Sequence, residues 1–200
     1  MQIKIRKITV LLTIFMLSSL LGCAGRSTME SFVRPEFDLA FINKVAVLPF
    51  ENPAGDQMIA ERCRQVTITQ ILSSGLFDVV DKMQVDSSLI SQAIAPGSPI
   101  DASTLHRLGQ LLGVQGFIVG SLDEASVDQK GAATFLDISL TMRLIDSESG
   151  LVVWQASGRG SGYSVWDRLF GLASKDSFQV TRDLIRNLLG TMGKRSEEQS

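Results

Sequence analysis

The 200-residue chain has one histidine, one tyrosine and two cysteines. A lone imidazole cannot build a histidine cluster, and no paired Cys-x-x-Cys occurs, so no metal site with the usual ligand spacing is expected. No phosphate-binding glycine loop occurs either. His106 lies on a helical stretch whose leucines face elsewhere, and it reads as a solvated residue with no nucleophile to serve. Gly158-Arg159-Gly160-Ser161-Gly162 fails two glycine motifs: Arg159 stands where a nucleophile elbow needs glycine, and Tyr163 where a dinucleotide fingerprint needs one. These glycines read instead as a strand end or bulge at which the backbone turns or approaches another surface. Asp123 and Glu124 are strand neighbours, so alternation places them on opposite faces rather than as a pair. A non-enzyme is expected, with no cofactor, no metal and no small-molecule substrate.

What the chain does have is a marked beginning. Lys4, Arg6 and Lys7 precede an apolar run from Ile8 to Leu21, and Gly22-Cys23 follows. Positive charge, a short apolar core and a small residue before the cut make an export signal, too short for an ordinary spanning helix. Leu20-Leu21-Gly22-Cys23 resembles the lipobox of bacterial lipoproteins, which implies a signal peptide over 1–22, cleavage before Cys23 and lipid (palmitate among the acyl chains) on its sulfur. Ala24 in the next position implies, by the same resemblance, transfer to the outer membrane, with the domain facing the periplasm.

Removing residues 1–22 takes away three of the 19 cations and none of the 21 acids, which leaves 178 residues and a formal charge of −5. A net acidic chain without a basic stripe is not built for nucleic acid. With Cys23 lipidated, Cys63 has no partner for a disulfide and reads as a small packed residue on a helix. Stability then has to come from one core.

Residues 23–43 read as the lipidated end and a tether of about ten residues, followed by a stretch apolar enough to lie on the domain. Lys44 to Phe50 is a covered strand ended by Pro49. A helix to Ser74 follows, with Ile59, Val66, Ile68, Ile71 and Leu72 for burial and Gly75 as its cap. Leu76–Val80 is a second strand, and Asp81 caps a helix to about Ala93. After the Pro96-Gly97-Ser98-Pro99 break, Asp101 or Ser103 caps a helix with a stripe of Leu105, Leu108, Leu111 and Leu112. Three strands come next. The first runs from about Gln115 to Asp128, with Gly120 read as a bulge; in the second, Leu136, Ile138, Leu140, Met142 and Leu144 alternate with polar residues; the third is Leu151–Ala156. A final helix runs from about Lys175 to Met192, and 194–200 is a polar tail. The fold class is α/β: a single mixed-sheet domain over 44–193 with helices packed on the sheet.

Lys44–Asn52, Gly75–Asp81, Leu112–Ser121, Ser139–Asp146 and Gly150–Trp154, taken in that order, resemble the periplasmic domain of the curli secretion lipoprotein CsgG and of its relatives, which include the LpoB-type activators of peptidoglycan synthases. The resemblance covers about residues 44–157. It implies helices on a central sheet, no catalytic residues, and work done by binding: either scaffolding or activation of another envelope protein, or, alternatively, a homo-oligomer within a curli-like secretion assembly. Two places depart from the CsgG channel. At Glu124–Thr134 the chain makes a tight hairpin rather than a long insertion, and Gly158–Lys175 lacks the sustained alternation of a membrane strand. The latter holds Tyr163, Trp166 and Phe170; the last two, four apart, share one face of a helix, and the three are the candidate partner-binding residues.

Overall fold

The computed structural model describes residues 29–130, 133–162 and 175–193. Its centre is a six-stranded sheet in the order β1-β6-β5-β4-β2-β3, where β1 is Met29–Val33, β2 Lys44–Val47, β3 Asp78–Val79, β4 Gly116–Lys130, β5 Ala133–Asp146 and β6 Val152–Ser161. The helices are α1 (Gln57–Ser74), α2 (Lys82–Ser91), α3 (Ala102–Leu112) and α4 (Ser177–Leu189). Strands β3, β2 and β4 are mutually parallel, whereas β4-β5-β6-β1 is an antiparallel run.

The layering follows from handedness. From β2 the chain crosses to β3 through α1, then returns past β2 to β4 through α2 and α3; right-handed crossovers in opposite directions put their helices on opposite faces. Accordingly α1, joined by α4, covers the face carrying Ile118, Leu122, Ile138, Leu140, Met142, Leu144, Trp154 and Ala156. On the other face, α2 and α3 close a smaller core over Ala46, Leu48 and Phe117. Each helix starts on an aspartate, Asp56, Asp81, Asp101 or Asp176, whose carboxylate accepts a free N–H of the first turn. Gly75 and Gly113 end α1 and α3 in the left-handed region.

Several elements differ from the sequence reading, each for a local reason. Strand β2 stops at Val47 because Pro49 has no N–H to give; the chain still follows β4 through Leu48 N–H to Ile118 O and Glu51 N–H to Gly120 O. Strand β3 keeps only two residues, since the N–H of Leu76 is taken by the α1 cap. Leu72 and Leu111 point to solvent, both more than half exposed, and their places in the buried stripes are held by Cys63, Arg64 and Thr67 on α1 and by Gly109 on α3. Residues 29–33, within the ten or so residues read as a tether, form β1 instead, because they pair with β6, so the sheet begins before residue 44. The β4 irregularity is at Asp123, between Leu122 and Glu124, not at Gly120.

Gly120 has a different purpose. A Cβ there would sit 2.4 Å from the ring of buried Phe50. Gly120→Ala is therefore expected to destabilise the fold by about 1–3 kcal/mol, read as a lower urea midpoint at unchanged m-value. Gly158 and Gly160 let α4 close on β6, with Leu184, Leu188 and Val180 carbons 3.2–3.3 Å from where a Cβ would be. This is the close approach expected of that glycine run.

Cys63 is fully buried and burial pushes its thiol up to about 12, against the weaker opposing charge of Arg62. It should resist a thiol reagent at pH 8 until the protein unfolds. Rapid labelling of the native protein at Cys63 would contradict this packing.

Candidate interaction face

Helices α2 and α3 cover only the β3-β2-β4 side of their face; among the described residues, no helix covers the same face of β5, β6 and β1. Register fixes what that bare region shows. Arg143 opposes Gln155, Thr141 opposes Ser157 and Ser139 opposes Arg159, with Phe32 beside Gln155 and Glu30 beside Ser157 on β1. This is the polar half of the alternation whose apolar half fills the core, so burial on one side dictates the chemistry of the other.

The bulge at Asp123 adds to it. With one extra residue in β4, the alternation restarts, and both Asp123 and Glu124 come to the bare face, contrary to the opposite-face expectation. Asp123 accepts from Ser121 Oγ and Thr141 Oγ1, each at 2.7 Å. Thr141 spends its one hydroxyl hydrogen on Asp123, so the 2.9 Å contact between Thr141 and Ser157 takes its proton from Ser157. Glu124 pairs with Arg159, and Glu51 with Arg143 at 2.9 Å. Phe32 stands 46% exposed with the Arg34 guanidinium 5.8 Å from its ring centre.

Exposed ion pairs contribute about 0–1 kcal/mol each, so stability does not account for this row of paired charges. What the row offers is a flat surface with both signs of charge, several hydroxyls and one exposed aromatic with arginines nearby. Such a surface suits a protein partner. It contains hydroxyls and carboxylates but no imidazole, and His106 lies away from it on α3, exposed and 2.9 Å from Gln110.

Of the residues singled out in the sequence, Cys23, Tyr163, Trp166 and Phe170 lie outside the described residues. The row Glu51, Asp123, Glu124, Thr141, Arg143 and Arg159 was not legible as a site. The one trace in the sequence is that apolar alternation in β4 breaks at Leu122-Asp123-Glu124; the bulge itself is set by the pairing with β5.

The fold and this face define a three-layer α/β domain with one half-open sheet, carrying no helix among its described residues long and apolar enough to cross a membrane. A family model described as peptidoglycan-synthase activator LpoB matches residues 33–159, and the chain belongs to that family. A comparison with curated proteins finds no match. Among solved structures, a point variant of the PelC dodecamer from Paraburkholderia phytofirmans is similar at 20% identity, covering 82% of this chain and 96% of that one, with a TM-score of 0.57. Lipoprotein GNA1162 from Neisseria meningitidis is similar at 16% identity, covering 78% and 99%, with a TM-score of 0.55. At these identities the likeness is one of fold. The family shown is that of LpoB, the relative named beside CsgG in the resemblance, and the match gives no support to a CsgG-type channel.

Proposed function

We propose that the chain is a periplasmic lipoprotein, held at the outer membrane by lipid on Cys23, that binds a peptidoglycan synthase and activates it without catalysing a reaction itself. The observation that carries this is the bare face of β5, β6 and β1 in a chain of the LpoB family. Only six steps of chain separate Cys23 from the first residue of β1, a reach of at most ~21 Å at ~3.5 Å per residue. The domain therefore works close to its membrane, and its partner has to extend to it.

The purified domain, added to the synthase of the same organism, should raise the rate of glycan polymerisation, and Phe32→Asp with Arg159→Glu should remove the effect. No binding at micromolar concentrations, or full activation by the double variant, would refute the proposal.

The short lead favours one second reading. A domain pinned near a bilayer is well placed to assemble with its own copies, as PelC does in its dodecamer. Light scattering on the delipidated protein separates the two: a mass of many subunits supports self-assembly, and a monomer removes it.

A further inference from the structure

Where the bare face meets α2 and α3, the sheet floor drops into a cleft of about 150 Å³. Its walls are aliphatic: Leu48, Leu89, Ile94, Leu105, Val119 and Ile145. Glu51 and Arg143 line its open side, joined by their 2.9 Å ion pair. The outer wall is the 92–100 loop. Gly97 holds that loop against the sheet, at φ +71° with the Phe50 carbonyl 3.3 Å from where a Cβ would lie, and Ala93 takes a left-handed φ of +54°.

Resting on the reading of this protein as a partner-binding module, we propose that the cleft receives one uncharged side chain of Phe or Leu size, carried on an extended segment of the protein partner. Size is the first argument: an apolar cavity of roughly this volume accommodates a benzene ring. The rim is the second. Glu51 and Arg143 neutralise one another, so a ligand with a free charge gains nothing net there. A fatty acid would set its carboxylate between Arg143 and Glu51, where attraction and repulsion oppose one another. A peptide main chain is neutral and carries both a donor and an acceptor, matching the spare lone pairs of Glu51 and the spare N–H groups of Arg143. Continuity is the third. Ile145 and Arg143 in the cleft are followed along the same face of β5 by Thr141 and Ser139, so an anchored segment would run directly onto the bare face. Apolar anchors in a pocket beside a polar surface are the usual distribution of binding energy.

The test uses the mature chain, made soluble by Cys23→Ser, with methyl-labelled Ile, Leu and Val observed by NMR. Acetyl-Ala-Phe-Ala-amide should shift the Ile94, Val119 and Ile145 methyls saturably, and acetyl-Ala-Ala-Ala-amide should not. Ala95→Phe, which places a ring at the exposed mouth, should weaken the Phe peptide at least tenfold, as should Ser98→Phe, while Gln65→Ala, on the helical face, leaves it unchanged. No saturable shift overturns the proposal, and so does octanoate binding more tightly than the Phe peptide, which would make the cleft a lipid site. If the peptide binds but Ala95→Phe still activates the synthase in full, the cleft is not the partner's anchor and the proposal fails with the broader reading intact. If the peptide binds and the wild-type chain engages no synthase, the broader reading fails while the preference of the cleft for a neutral apolar side chain holds.

Discussion

Replacing Arg64 with methionine is expected to lower the melting temperature by about 6–12 °C, the equivalent of about 3 kcal/mol in a domain of this size. Arg64 is 1% exposed on α1. Its Nε and Nη2 both donate to the carbonyl of Val47, at 3.1 and 2.9 Å, and its Nη1 lies 2.7 Å from Asp86 on α2. That carbonyl sits at the last residue of β2, where Pro49 ends the ladder, so the guanidinium ties the strand end to helices on both sides of the sheet. Methionine preserves most of the packed stem but leaves a buried carbonyl without its donors. Lys82, 2.8 Å from Asp86 and 3.1 Å from Glu61, keeps part of the network and limits the loss.

The same network has a pH signature. Burial alone would raise the Asp86 carboxyl, but hydrogen bonds and positive charge from Lys82 and Arg64 outweigh it and hold the group below the ordinary carboxylate range. A carboxyl depressed in the fold adds stability above its unfolded value, near 4, and that increment disappears as pH falls through the folded value. The stability difference between wild type and Arg64→Met, measured by urea melts, should therefore shrink between pH 5 and pH 2. A constant difference would mean that the Asp86 pair contributes nothing.

The second large effect concerns location. On the proposed lipidation, Cys23→Ser removes the lipid attachment in a single step, because each acyl chain contributes ~0.8 kcal/mol per buried CH₂ and no polar serine replaces that. The protein should move from the membrane to the soluble periplasmic fraction, lose incorporation of labelled palmitate and lose its function in cells, while the purified domain still binds its partner. Unchanged fractionation would disprove the anchor.

How much of this was legible in the sequence varies with the physics of each element. Helix α1 was read to the residue at its C-terminus because Gly75 has one structural use there, a left-handed cap. The alternation of β5 was equally direct, since Leu136 to Leu144 can bury only one face. Leu72 and Leu111 misled because periodicity does not say which side of a wide stripe the neighbouring element covers. Arg64 could not be recognised as core, for its burial depends on Val47 and Asp86, brought in from a strand and from another helix. The bare face was hidden for a related reason: whether a polar strand face meets water or a helix is decided by where crossovers place α2 and α3, and the bulge that brings Asp123 beside Thr141 is a property of pairing rather than of composition.

The most direct measurement is site-specific photocrosslinking in intact cells, with the reactive residue placed at Phe32, at Gln155 and, as a control on the helical face, at Gln65. The proposal requires Phe32 and Gln155 to give the same adduct, identified by mass spectrometry as a peptidoglycan synthase, with Gln65 giving none. Adducts formed from Gln65 but not from the sheet positions would contradict it.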